Sequence, residues 1–185
     1  MNKILLAVSA MAITLSACGQ NNNKNTQDDM KTLVAYFSAT GTTEAVAKDL
    51  AAVTGGTLYE IKPEVKYTAK DLDWTVKTSR SSIEMQDRSF RPAIIKDLKD
   101  AGSYDTVYIG FPVWWYTAPT IINSFIDAYG FAGKTVIFFA TSGGSSIDKA
   151  NAEFKAQYPD INWKAGKTLN RVTKADIRTW VDNMQ

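Results

Sequence analysis

Leu33-Val34-Ala35-Tyr36-Phe37-Ser38-Ala39-Thr40-Gly41-Thr42-Thr43 sets the architecture of the 185-residue chain. A short apolar run, too short and too uniformly apolar for an amphipathic helix, reads as a strand buried on both faces. It stops at a small turn rich in hydroxyls, and an alanine-rich pattern follows that predicts a helix over Glu44–Val53, with Thr42 or Thr43 placed to cap it. The first amides of such a helix have no internal partner, and its dipole adds about half a positive charge at that end. Ser38, Thr40, Thr42 and Thr43 supply hydroxyl donors, and Gly41 lets the backbone approach an anion closely. The turn holds no Lys or Arg and matches neither G-x-x-x-x-G-K-[ST] nor G-x-G-x-x-G. A neutral, hydroxyl-lined cradle suits one terminal phosphate; an ordinary capped helix start would use the same residues.

Downstream, apolar strands alternate with helical patterns. Strands are expected at Leu33–Ser38, Thr57–Lys62, Thr106–Phe111, Thr135–Thr141 and Asn162–Thr168, and helices at Glu44–Val53, Ala93–Asp100, Ala118–Tyr129, Ile147–Tyr158 and Lys174–Asn183. This alternation implies right-handed crossovers and a mostly parallel sheet covered on both faces, an α/β fold. Ligands of such sheets bind beyond the carboxyl ends of the strands, so the turns after strands one, three and four belong together. The third strand runs into Phe111-Pro112-Val113-Trp114-Trp115-Tyr116-Thr117-Ala118-Pro119. Three successive aromatics in a loop are costly to expose unless they meet a ligand or a partner. The fourth strand ends in Thr141-Ser142-Gly143-Gly144-Ser145-Ser146, a turn whose glycines permit close approach and whose Ser145 or Ser146 can cap the next helix. Pro63–Arg91 shows no clear periodicity and is long for a connection inside a compact domain. It reads as a surface excursion or a lid, with Trp74 and Arg80 as the residues to test.

Ser-Ala-Thr-Gly-Thr-Thr (Ser38–Thr43) resembles the phosphate loop of the flavodoxins. Phe-Pro-x-Trp-Trp and Thr-Ser-Gly-Gly-Ser resemble the flavin loops of a flavodoxin-like subgroup, and the first is also similar to the flavin loop of NAD(P)H:quinone oxidoreductases. The resemblance covers Lys31–Gln185. It implies a three-layer αβα sandwich with strand order 2-1-3-4-5 and FMN as cofactor. The phosphate would lie on Ser38, Ala39, Thr40, Gly41, Thr42 and Thr43, and the isoalloxazine between Pro112, Val113, Trp114, Trp115 and Tyr116 on one side and Thr141, Ser142, Gly143, Gly144 and Ser145 on the other.

Ahead of this domain, Met1–Ala17 has a lysine near its start, an apolar centre and small residues before Cys18, the pattern of a secretory signal. Leu15-Ser16-Ala17-Cys18 resembles the bacterial lipobox, which implies lipidation of Cys18, export and anchorage to a membrane facing the periplasm or cell surface. Glycine after the cysteine resembles the sorting pattern for the outer membrane in Gram-negative bacteria. The Asn/Gln-rich residues 18–30 then form a flexible tether.

Composition narrows the chemistry. Cys18 is the only cysteine and there is no histidine, which excludes Ser-His-Asp and Cys-His catalysis and the usual histidine metal sites. Without Met1–Ala17 the chain carries 20 basic and 19 acidic residues, so no strongly basic face offers itself to nucleic acid. Flavodoxins resemble acidic, cytoplasmic shuttles, and this near-neutral, export-marked chain departs from them on both counts. The expected function is electron transfer through bound flavin, with a redox partner protein or a small acceptor such as a quinone. The alternatives are an NAD(P)H-dependent quinone reductase, which the resemblance pictures as a dimer, and a lipoprotein that binds a phosphate ligand without redox chemistry.

Overall fold

The computed structural model describes residues 30–184; the proposed signal segment, tether and Cys18 lie outside the described residues. Five parallel strands, β1 (Thr32–Tyr36), β2 (Thr57–Glu60), β3 (Thr106–Pro112), β4 (Thr135–Thr141) and β5 (Asn162–Thr168), form one sheet in the order β2-β1-β3-β4-β5. The helices are α1 (Thr42–Thr54), α2 (Arg80–Gln86), α3 (Thr120–Tyr129), α4 (Asp148–Gln157) and α5 (Lys174–Asp182). This is the expected architecture and strand order.

The sheet is two-sided because successive side chains alternate between its faces. Leu33, Ala35, Val107, Ile109, Phe111, Val136 and Phe138 face one core with Ile121, Ile122 and Phe125 of α3 and Phe154 of α4. Val34, Tyr36, Tyr108, Ile137 and Phe139 face the other with Leu50 and Val53 of α1 and Ile177 and Trp180 of α5. The outer strands β2 and β5 are mostly exposed and polar, which blunts the sheet edges.

Gly110 at the middle of β3 lies opposite Phe139 of β4, whose ring covers it: a Cβ at Gly110 would sit 2.1 Å from the ring's Cζ. Neither strand nor ring has room to move in a close-packed core. Gly110→Ala is therefore expected to lower unfolding free energy by about 3 kcal/mol, the upper end for overpacking. Denaturant melts of the two proteins check it; an unchanged midpoint would mean that Phe139 has another rotamer open to it.

The segment expected as a helix over Ala93–Asp100 is instead extended. The Ile95 amide donates to Lys62 O at 2.9 Å and the Glu64 amide to Ala93 O at 2.9 Å, continuing β2 through an antiparallel bridge between Pro63 and Ile94. Ile94 and Leu98 reach the core from this extended path. The helix between β2 and β3 is α2, inside the stretch read as aperiodic.

Candidate functional site

All parallel strands end at one edge, which brings three turns together. The first begins after β1, where the Phe37 amide donates to Gly110 O at 2.8 Å and ties the turn to β3. The Gly41 amide donates to Ser38 Oγ at 3.1 Å, and Thr40 and Thr42 hydroxyls lie 3.5 Å apart. Neither Thr42 nor Thr43, the expected candidates, caps α1. Gly41 takes the cap position in the left-handed region (φ 87°) with no side-chain cap, which leaves the Thr42, Thr43 and Glu44 amides at the helix start for another acceptor. Thr43 turns inward: buried, its hydroxyl sits 2.8 Å from the Thr141 hydroxyl at the end of β4. That bond joins the first turn to the third. A methyl group on Gly41 would meet nothing within 4 Å, so the space before the turn is open.

The second turn hangs from β3. The Val113 amide donates to Thr141 O at 2.9 Å, and Trp114 and Thr117 exchange two backbone bonds of 2.9 and 3.0 Å. Between them Trp115 (φ 46°) and Tyr116 (φ 67°) both adopt left-handed backbone, rare for bulky residues and worth about 1–3 kcal/mol of strain each. The surroundings hold this strain at both ends. Trp114 is wedged edge-on against Phe37 (5.6 Å) and Tyr67 (5.5 Å). The Thr117 hydroxyl donates to Glu153 Oε2 at 2.6 Å, and Arg88 donates to Ala118 O at 3.1 Å. The two rings at the tip stay outside, Trp115 40% and Tyr116 69% exposed.

The third turn is organised by one hydroxyl. Ser142 Oγ accepts from the amides of Gly144 (3.1 Å) and Ser145 (2.6 Å), while the Ser142 amide donates to Asn170 Oδ1 at 2.8 Å. Neither Ser145 nor Ser146 is the cap residue of α4; Ile147 holds that position, and Ser146 Oγ accepts from the Asp148 amide at 3.1 Å.

Between the second and third turns opens a cleft of about 550 Å³, lined by Val113, Trp114, Trp115, Tyr116 and Ser142–Ser145, and by Leu72, Trp74 and Ser81 from the excursion after β2. Pro112 and Thr141, register partners at the ends of β3 and β4, do not line it. None of Ser38, Ala39, Thr40, Gly41, Thr42 and Thr43 lines it; Ala39 packs on the core, and the first turn is tied to the third through the Thr43–Thr141 hydroxyl contact, one residue before the lining residue Ser142.

Leu72, Ser81 and Asn170 were not anticipated. Trp74 was singled out, and it does reach the cleft; Arg80 does not. Arg80 instead lies 3.9 Å over the Tyr67 ring, donates to Val65 O at 2.6 Å and pairs with the buried Glu84 at 2.7 Å. The Tyr67 hydroxyl donates to the same carboxylate. Burial, and then Glu84, hold that hydroxyl protonated well above the usual tyrosine range. The excursion thus grips the aromatic turn twice, through Tyr67 on Trp114 and through Arg88 on Ala118.

A doubly covered parallel sheet with its turns gathered around one cleft at the carboxyl edge defines a flavodoxin-type α/β protein, and the Flavodoxin family model matches residues 31–184. The chain belongs to the flavodoxin family. It is similar to a protein of Bacteroides uniformis proposed to be a flavoprotein, 56% identical with a TM-score of 0.81 over 83% of this chain and 98% of that one. A counterpart from Bacteroides eggerthii is 54% identical, with a TM-score of 0.80 over 83% and 96%. A flavoprotein from Lactobacillus acidophilus in complex with FMN shares the fold at 24% identity and a TM-score of 0.64, over 82% of this chain and 99% of that one. No curated protein matches the chain.

Proposed function

We propose that this chain is an FMN-dependent redox protein that carries electrons between partners, held at a membrane by a lipid on Cys18. The observation that carries the reading is the joining of a neutral, hydroxyl-lined helix start to an aromatic-walled cleft through Thr43 and Thr141. The donor set suits the group. Open helix-start amides and the Ser38, Thr40 and Thr42 hydroxyls match a terminal phosphate, and the cleft has the size and mixed lining usual for a cofactor site. FMN supplies the exchange of one or two electrons.

The chain's own part is to bind and orient. Ser142 fixes the backbone of the third turn toward the cleft, and Trp114 and Trp115 give it an apolar wall. Among the described residues Tyr116 is the only titratable side chain in the lining, so they offer no carboxylate, ammonium or imidazole there for proton transfer, and proton exchange falls to solvent. The near-neutral charge makes long-range steering of partners weak. Membrane anchorage is supported by the signal pattern and by Leu15-Ser16-Ala17-Cys18.

The reading is tested by expressing the chain from Gly19 onward, adding FMN, removing what is unbound and recording the visible spectrum. A retained oxidised-flavin spectrum is expected; a colourless, folded protein overturns it. NADH and NADPH added next are expected to leave the flavin oxidised, and rapid bleaching by either would replace the carrier with a reductase. Cys18→Ala in the whole chain is expected to move the protein from the membrane to the soluble fraction. Trp115→Ala is expected to weaken FMN binding by about 1–2 kcal/mol, roughly 5- to 30-fold, and to shift its potential. Unchanged affinity and potential would remove Trp115 from the site.

A further inference from the structure

We propose that a second groove, which shares Trp74 and Trp115 with the first cleft, is a separate ligand site for a planar aromatic molecule carrying one negative charge. The proposal rests on the flavin reading only for its purpose, a subsite next to the cofactor cleft. The groove is lined by Trp74, Thr75, Lys77, Ser82, Gln86 and Trp115 and encloses about 770 Å³. Trp74 and Trp115 also line the first cleft, so the two spaces share an indole wall.

The lining has a consistent chemistry. It holds two indoles, two hydroxyls, one carboxamide and one ammonium, and no carboxylate. Among the described residues Lys77 makes no ion pair, like Lys66 and Lys70 before it, and of these three only Lys77 lines the groove. Ser82 is buried, and its hydroxyl accepts from Ser79 Oγ at 2.9 Å, which leaves its own proton to donate. The Gln86 carboxamide is fixed by donating to Lys77 O at 3.2 Å.

The indole of Trp74 is 73% exposed, yet its backbone is held firmly. Asp73 Oδ1 accepts from the Thr75 amide at 3.1 Å and Asp73 O from the Val76 amide at 3.1 Å. Just upstream, Asp71 Oδ2 accepts from the Thr68 amide and hydroxyl, both at 2.7 Å. Both acidic residues of this segment are thereby used in turns that present Trp74, and neither pairs with Lys77. A ring face meets the indoles, and one negative group meets Lys77; a neutral ring lacks the second contact and a bare anion the first.

The test is calorimetric titration of the purified FMN-loaded full chain with anthraquinone monosulfonate and with its neutral hydroxymethyl analogue. The sulfonate is expected to bind about five-fold more tightly, the gain of one exposed charge pair. Lys77→Gln is expected to abolish that difference and Lys77→Arg to keep it, with FMN affinity unchanged in both. Trp74→Ala is expected to weaken both ligands about ten-fold. Three results overturn the proposal: no binding, binding that displaces FMN, or a preference that survives Lys77→Gln. If FMN does not bind, the flavin reading fails, and the same titration of the flavin-free protein still decides whether the groove is a site.

Discussion

Replacing Thr42 with aspartate is expected to strip the chain of FMN while leaving its fold intact. Thr42 is the exposed first residue of α1, next to left-handed Gly41 and 3.5 Å from the Thr40 hydroxyl. A carboxylate there would share the proposed cradle with the cofactor's phosphate. Two unit charges about 4 Å apart near a protein surface repel by up to about 4 kcal/mol, and the phosphate carries more than one charge. The expected loss is at least about 100-fold in affinity, about 2.7 kcal/mol. Stability moves the other way, because an acid in the first helical turn gains about 0.3–1 kcal/mol from the dipole. The opposite signs separate the two effects. Flavin titration should show the loss, thermal melting should show none, and Thr42→Ser should bind nearly as the parent does. Tight FMN binding by the aspartate variant would place the phosphate elsewhere.

The second large effect is expected at Glu84. Its side chain is 4% exposed and accepts both the Tyr67 hydroxyl and the Arg80 guanidinium. Glu84→Ala leaves a half-buried cation and a half-buried hydroxyl facing an empty space. Removing one partner of a buried ion pair costs about 3–5 kcal/mol; Arg80 keeps Val65 O and some solvent, so the loss should fall near 3 kcal/mol. For a domain of this size that lowers the melting temperature by about 6–12 °C. Tyr67 braces Trp114, so flavin affinity should fall as well. Glu84→Gln keeps an acceptor and should lose less than the alanine variant. A melting temperature unchanged in Glu84→Ala would mean that the excursion is not held by this cluster.

The central strands β1, β3 and β4 were legible in the sequence because they are buried on both faces and read as short, uniformly apolar runs, while the exposed edge strands β2 and β5 carried a weaker signal. β4 and β5 fall on the expected residues, and β1, β2 and β3 end within two residues of them. The exchange of Ala93–Asp100 for α2 has a physical cause. Arg80–Gln86 buries Ser81, Ser82 and Glu84 along with Met85, so its inner face is largely polar and gives no hydrophobic period. The readable signals were Ser79, whose side chain caps the helix by accepting from the Ser82 amide, and the Arg80–Glu84 spacing. In Ala93–Asp100 an apparent period was overridden by pairing along β2 and by Asp97, which accepts from Tyr59 at 2.9 Å and Lys62 at 3.0 Å.

At the site, the turn sequences announced which segments meet, since the carboxyl edge of a parallel sheet gathers them. They did not announce which threonine faces which way. A cap at Thr42 or Thr43 is reasonable by residue preference, but left-handed Gly41 takes the cap position and frees Thr43 to reach Thr141, 98 positions away. The contribution of Leu72 and Ser81 depends on the path of the excursion, which no local pattern records.

The five strands run in one direction, and the chain enters the sheet at Met30, just before β1. The cleft lies past the other end of that strand, about 17 Å away at the usual rise of a five-residue strand. Whatever pulls on the amino end therefore pulls from the pole opposite the proposed flavin. Coupled to an electrode or a bead through its amino terminus, the protein would turn its indoles outward, and current would have to travel the length of the strands to reach the support. Coupled through a cysteine placed at Tyr116, it would turn them inward. The ratio of the two electron-transfer rates would report how strongly the domain directs charge through one face.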